Sequence, residues 1–363
     1  MHNTVDKWLL WILIGLVAMG FLIFISASLG LLARDGAHFG NITAMRLFWT
    51  AIGGGAAYLA SVFHYKGFRH YTVILLFVSI ILTALVFIPG IGIEYGGARR
   101  WLPVMGLTFQ PAEFLKIAFV IYAAAFFASA KEKIQTISYG LFPLLLLLSV
   151  SGALLLLQPD TDTFVVLFLA LLSMFLSAGG KIRHIGIVII IGILGLSLLV
   201  ISKPYLKERL NTFLNPAGDP QGSGYQIQQS LIAIGSGGLT GKGFGQSVQK
   251  FSYLPEPIGD SIFAVAAEEF GLIGGALLIG LFLAFLLRGL RIASRAPDKF
   301  GGLLSIGIVI LIGASAFMNI ASMLAIIPLS GLPLAFVSHG GTALVITLLE
   351  AGILLNISRY QRS

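Results

Sequence analysis

Ten long apolar runs set the terms on which this chain can fold. They cover roughly residues 8–31, 44–63, 71–89, 111–130, 137–157, 163–178, 182–201, 261–288, 300–325 and 340–357. A helix needs about 20 predominantly apolar residues to cross the hydrocarbon layer of a bilayer. The runs are continuous, whereas the strands of a transmembrane barrel alternate apolar and polar residues. Of the 363 residues, 57% are hydrophobic and only 10% charged, which is more apolar surface than a water-soluble domain can bury. The sequence therefore predicts an all-α polytopic membrane protein with ten transmembrane helices, forming one domain over residues 1–363. The first run follows Lys7 directly, is too long for a signal-peptide core and shows no small-residue cleavage site, so it is read as a retained helix.

The chain carries 23 basic and 15 acidic residues, a net charge of +8. The distribution of that charge points to membrane topology and away from nucleic acid. With ten spans both termini share a side, and that side collects Lys7, Lys66, Arg69, Lys131, Lys133, Lys181, Arg183, Arg288, Arg291, Arg295, Lys299, Arg359 and Arg362. The other side carries Arg34, Arg99, Arg100, Lys203, Lys207, Arg209, Lys242 and Lys250, mostly in one segment that also holds acids. Lys and Arg accumulate in cytoplasmic connections, so both termini are expected in the cytoplasm. There is no cysteine, which excludes disulfides, thiolate catalysis and Cys-based metal sites. The six histidines (His2, His38, His64, His70, His184 and His339) lack ligand spacing, so no His-based metal site is expected.

Most connections are short and force neighbouring helices to pack antiparallel. Two connections on the outer side are longer. Residues 90–110 read as a glycine-rich loop (Gly90, Gly92, Gly96, Gly97) containing Arg99, Arg100 and Trp101. Residues 202–260 form a large outer loop between the seventh and eighth spans, long enough to carry function. Within it, Tyr225–Ile234 has the mixed spacing of a short helix lying at the interface. No internal repeat is visible, which argues against an inverted-repeat transporter.

Asp260 is the leading candidate for chemistry, a carboxylate just before the apolar run that starts at Ser261, where water meets headgroups. Glu113 and Lys116 lie three apart on the fourth span, share a helix face and can pair. Charge inside a span faces a bundle interior or a watery cavity, so this pair is either a structural tie or a cavity wall. Glu268 lies eight residues after Asp260, about 12 Å deeper on nearly the same face, with Glu269 beside it. Glu350 reads as a packing or interfacial residue. The run Gly235–Gly245 suggests a phosphate loop but fails its pattern: Ser236 stands six before Lys242, and Gly243 follows it. It reads as a tight turn whose N–H groups, with Lys242, can still meet a pyrophosphate. Arg99 and Arg100 can grip phosphate bidentately, and Trp101 can stack on a sugar or anchor in headgroups.

These residues fall in motifs that resemble the SEDS family (shape, elongation, division and sporulation), membrane peptidoglycan polymerases with ten helices, along essentially the whole chain. The matching motifs are Arg209–Pro216, Asp219-Pro220, Gly224-Tyr225-Gln226, Gln229–Gly238, Gly243-Phe244-Gly245, Gln249-Lys250, Leu254-Pro255-Glu256 with Asp260, and Phe263-Ala264 through Glu268-Glu269. Gly97–Trp101, Gln110–Glu113 with Lys116, Gln158-Pro159-Asp160, and Gly331–Leu334 through Gly340-Gly341 also match. Gln249-Lys250 is closer to the division branch than to the elongation branch. The chain departs from the family at Ile258-Gly259 and Ser261 around the aspartate, at Thr161-Asp162-Thr163 where Leu-Gly-Thr is usual, and at Ala335 and His339.

The resemblance implies polymerisation of lipid II at the outer face of the bacterial cytoplasmic membrane. Pyrophosphate already leaves well, so the reaction needs cations for the leaving group and one base, unlike a glycosidase, which also needs an acid. The resemblance assigns the base to Asp260. It assigns leaving-group and substrate contacts to Arg99, Arg100, Trp101, Asp160, Lys242 and Lys250, with a divalent cation (Mg or Mn) carried on the pyrophosphate. The partners it implies are a class B penicillin-binding protein supplying the transpeptidase and other division or elongation proteins. Two other functions remain open on the sequence: a lipid II flippase, which needs key residues on both membrane faces, and a non-catalytic division scaffold, which leaves Asp260 no task.

Overall fold

The structure, a computed structural model, describes residues 4–35, 39–95, 97–219 and 222–361. His2, His38, Gly96, Pro220 and Arg362, named above from the sequence, lie outside them. Every apolar run is helical over most of its length, because a backbone in hydrocarbon must satisfy its own N–H and C=O groups. The first half of the chain forms α1 (Lys7–Asp35), α2 (Phe39–Val62), the short α3 (Lys66–His70), α4 (Thr72–Leu85), α5 (Pro111–Ala130) and α6 (Phe142–Leu157). The second half forms α7 (Thr161–Ser177), α8 (Ile182–Ser202), α9 (Pro204–Leu214), α10 (Ser223–Ser236), α11 (Ile262–Ser294), α12 (Lys299–Met323) and α13 (Gly341–Ser358). Seven helical stretches among the described residues are long and apolar enough to cross a membrane, while α4 and α7 are shorter apolar helices. The chain is a helical multi-pass membrane protein.

The span of α12 is 72% buried and that of α8 only 6%, so α12 lies inside the bundle and α8 faces lipid. Small residues let helices approach where apolar attraction between spans is weak. A side chain on Gly352 of α13 would strike the carbonyl of Ala57 in α2, and one on Gly53 would strike Leu348.

Residues 93–109, expected as a loop, form a three-stranded antiparallel sheet of β1 (Ile93–Tyr95), β2 (Ala98–Val104) and β3 (Leu107–Phe109). Val104 faces Leu107 across a two-residue turn at Met105 (φ 50°) and Gly106 (φ 80°), the left-handed pair that a tight hairpin requires. The 202–260 segment also differs from a plain loop. It holds α9, which was not foreseen, and α10, which extends the helix expected at Tyr225–Ile234. Gly224, Ile227, Ser230 and Ala233 line the buried face of α10, which packs on α11.

Helix α11 breaks at Gly271 (φ 66°, ψ −165°). Residues 238–243 fill the break. Glu268 and Glu269 carbonyls accept from the N–H groups of Lys242 (3.0 Å) and Gly243 (2.9 Å), while Leu272 and Ile273 donate to the carbonyls of Gly238 (2.9 Å) and Leu239 (3.1 Å). Above the break, Ile262–Glu269 is buried in protein; below it, residues 272–294 suffice for a span of about 34 Å at 1.5 Å per residue.

The lower end of α11 meets both chain ends. Arg288 grips Asp6 with two nitrogens (2.6–2.9 Å), and the Asp6 N–H donates to Ser358 Oγ (3.0 Å). Nearby, Asp298 pairs with Lys66 (3.4 Å) and accepts from the Tyr65 hydroxyl (2.8 Å). Asp260 stands at the other end of the same helix.

Candidate active site at the head of α11

The backbone around Asp260 is fixed from three sides. One Asn319 amide in α12 donates to the carbonyls of both Asp260 and Leu332 (2.8 Å each). Ser338 Oγ donates to the Gly259 carbonyl (2.7 Å), and the His339 N–H donates to that of Ile258 (2.7 Å). Gln226 of α10 donates to Ser261 Oγ (3.0 Å). The 331–340 strap is itself anchored by Arg46 of α2, which is 4% exposed and donates to the carbonyls of Ser338 (2.7 Å) and Phe336 (2.6 Å).

Charged groups from three further elements converge on the carboxylate. Asp160 accepts from the Thr163 N–H (3.4 Å) and so caps α7. Arg100 of β2 donates to the Gln158 (3.1 Å) and Pro159 carbonyls just before it. Asp162, in the first turn of α7, accepts from Arg209 Nη1 of α9 (2.9 Å) and from the Gly331 N–H (3.0 Å). A methyl group on Gly331 would sit 3.8 Å from Asp260 Oδ2, 3.9 Å from Arg209 Nη2 and 4.0 Å from Asp162 Oδ2. Burial, then Glu256 and Asp162, push the Asp260 carboxyl up to about 7, against the pull of Arg209 and Arg100. A carboxylate with that proton affinity suits general-base work near neutral pH.

The other residues singled out in the sequence divide into two groups. Arg99 leaves the site: its Nε binds Glu94 on the neighbouring strand (2.9 Å), and both side chains are exposed. Trp101 is half-buried and faces Ile93 across the sheet. Lys250, expected at the leaving group, is instead wholly buried against Glu269 (2.6 Å) and Ser26 (3.0 Å). Lys242, expected beside it, binds Glu268 (2.7 Å). Glu268 also accepts from Ser247 Oγ (2.5 Å) and from the N–H groups of Val248 and Gln249, so the two glutamates clamp the 242–250 loop onto α11. The structure thus assigns both lysines to loop anchorage, because buried carboxylates demand a counter-charge.

Glu113 and Lys116 form the pair expected of them (3.0 Å), almost wholly buried. They line a cavity of about 30 Å³ with Ser315, Ser338, Thr347 and Glu350, room for one or two waters. Glu350, read from the sequence as packing or interfacial, belongs to this cavity and lies within electrostatic reach of Lys116. Ser338 joins the cavity to the Asp260 loop, since it borders one and holds the other.

A family model described as Cell cycle protein, grouping FtsW, RodA and SpoVE, matches residues 7–363. The chain belongs to this SEDS family. It is 40% identical to stage V sporulation protein E of Bacillus subtilis (strain 168), over 87% of each chain. It is 38% identical to the probable peptidoglycan glycosyltransferase FtsW of Trichlorobacter lovleyi, covering 97% of this chain and 93% of that one. Among solved structures, a chain of a peptidoglycan synthase complex that coordinates polymerization and crosslinking superposes with a TM-score of 0.79 at 25% identity, over 98% of each chain. The rod shape determining protein RodA of Thermus thermophilus superposes at 0.71 and 25% identity, over 99% of this chain and 98% of that one.

Three residues of this SEDS chain around Asp260, namely Asp162, Arg209 and Asn319, and Arg46, which anchors the strap, are not among the candidate site residues of the sequence. Arg46 and Asn319 carry a legible signal, a charge and an amide inside apolar runs. Asp162 showed only as a departure, and Arg209 only as a motif member. Among the described residues no group of three or more His, Cys, Asp or Glu is placed to hold a metal ion.

Proposed function

We propose that this chain is a peptidoglycan glycosyltransferase that polymerises lipid II at the outer face of the cytoplasmic membrane, for septal wall synthesis. The observation that carries this reading is the half-buried Asp260, with its proton affinity near neutral, beside the Arg209 and Arg100 guanidinium groups. The names of the FtsW relatives support the activity and the septal role. In the reaction, the 4-hydroxyl oxygen of an acceptor GlcNAc attacks the anomeric carbon of the donor MurNAc. The bond from that carbon to the lipid pyrophosphate breaks, and the pyrophosphate leaves with the electron pair. Asp260 takes the hydroxyl proton, and a single displacement inverts the anomeric carbon. Arg100 and Arg209 offset the charge that develops on the leaving group. A divalent cation would arrive on the pyrophosphate itself.

Ten spans with both termini in the cytoplasm put Asp260 on the outer side, in keeping with the basic residues gathered around the chain ends. The likeness to a chain of a peptidoglycan synthase complex supports a class B penicillin-binding protein as partner. The deciding experiment supplies labelled lipid II to the purified chain and its cognate partner, and scores polymer length. Asp260→Asn, folded by its melting curve, is expected to give no polymer. Wild-type polymer from that variant removes Asp260 from the chemistry. Transfer of lipid II across vesicles by a wild-type chain that makes no polymer would favour the flippase reading.

A further inference from the structure

Asp162 lies in the site yet has no part in the proton transfer just described. Its carboxylate binds Arg209 through Nη1 only, and the other terminal nitrogen, Nη2, faces the gap at Gly331 that Asp260 Oδ2 also borders. The Gly331 N–H holds the same Asp162 oxygen, so the carboxylate is fixed from two directions. Tyr205 of α9 shares a hydrogen bond with Thr161 (2.8 Å), which locks α9 and its Arg209 against the first turn of α7. One guanidinium thus binds one carboxylate and lies within electrostatic reach of a second. Arg forms its strongest pair when both terminal nitrogens meet one carboxylate, and Asp162 denies Asp260 that arrangement.

We infer that Asp162 is a positioning residue: it competes with Asp260 for Arg209 and so keeps Asp260 from being neutralised in a tight ion pair. The inference rests on Asp260 being the base. The groups that face Asp260 are Glu256 from its own loop, Asp162 from α7, Arg209 from α9 and Arg100 from β2, the two acids raising its proton affinity in balance against the two arginines, which lower it. Removing the Asp162 charge tips that balance towards the two arginines. Asp260 then ionises at lower pH and becomes a weaker base.

The test is the pH profile of lipid II polymerisation by the chain with its partner, comparing wild type with Asp162→Asn, which keeps an oxygen for the Gly331 N–H. The acid limb of kcat is expected to move down by about one pH unit, with a plateau rate lower by roughly threefold and little change in KM. Asp162→Glu is expected to restore the limb. Adding Arg209→Gln to Asp162→Asn is expected to bring the limb back up. If Asp162→Asn is too slow to profile, melting curves read the same ionisation without activity. The melting-temperature difference between Asp260→Asn and its parent, followed against pH, should then turn at lower pH when both chains also carry Asp162→Asn. An unmoved limb or turning point, or a raised KM alone, overturns the inference and leaves the base intact. A limb that survives in Asp260→Asn overturns the base itself.

Discussion

At the scale of single residues, the raised proton affinity of Asp260 has consequences for both activity and stability. An aspartate in the unfolded chain ionises near 3.8, and burial moves the folded group up to about 7. Between these values the unfolded chain has released its proton and the folded chain has not, so stability falls as pH rises from about 4 to about 7 and is level above. Asp260→Asn should therefore melt higher than wild type at pH 8, by about 2 kcal/mol after allowance for partial exposure, with the gain vanishing below about pH 4. Melting curves in detergent across that range check it, and a constant difference at all pH values contradicts it. With Asp260 as the proposed base, polymerisation is expected to show the opposite dependence, rising with pH through about 7 as the carboxylate becomes free. Gly331→Ala tests the space between the charges. A methyl group there meets all three side chains at ordinary contact distance, so folding should be nearly unaffected while substrate phosphate loses access to Arg209. Tenfold or more loss of polymer at unchanged melting temperature is expected. Asp260 was legible because it stands at the end of an apolar run. Asp162 and Arg209 were not, because their meeting depends on how α9 lies against α7, across 47 residues of sequence.

At the scale of elements, the broken α11 joins the outer segment to the membrane bundle. An unbroken helix would pair the Glu268 and Glu269 carbonyls with the N–H groups four residues on, and here the 238–243 turn takes both sides of that exchange. Only glycine fits at the crossing. A side chain on Gly271 would meet Leu239 O and Gly241 N, one on Gly241 would meet the Glu269 carbonyl, and both residues have positive φ. Gly271→Ala is therefore expected to destabilise the chain by about 2–3 kcal/mol through strain and contact together. A melting temperature equal to that of wild type would show that the crossing relaxes easily. The sequence pattern disclosed part of this. Glycines clustered at 235–245 read as a turn, and Lys242 beside Glu268 was within reach of inference from charge alone. The host of the turn was hidden, because the apolar run from Ser261 reads straight through Gly271 and gives no sign of a break. The sheet at 93–109 was hidden for a related reason: its glycines look like loop composition, yet two of them, Gly97 and Gly106, occupy the left-handed turn positions that let three short strands pair.

At the scale of the whole molecule, charged side chains gather at the two ends of the bundle. One end gathers Asp6, Lys66, Arg288, Asp298 and Ser358, tying the chain ends to two connections. The other gathers Asp260, Arg100, Asp162 and Arg209 under the sheet and α9. Between them the buried Glu113–Lys116 pair and Glu350 line the small cavity below the 331–340 strap. Polymer leaving a cell must form on the side where wall is built, so the proposed chemistry requires the Asp260 end to face outward. The absence of native cysteine makes that requirement directly testable. Met105, at the sheet tip and 100% exposed, and Lys66, at the opposite end with a 60% exposed side chain, are suitable single-cysteine positions. In intact cells stripped of any outer barrier, a membrane-impermeant maleimide is expected to label Met105→Cys and to spare Lys66→Cys until the membrane is opened. Labelling in the reverse order would put Asp260 with the cytoplasm, away from the wall it is proposed to build, and would leave the basic end facing outward against the charge asymmetry that orients membrane helices.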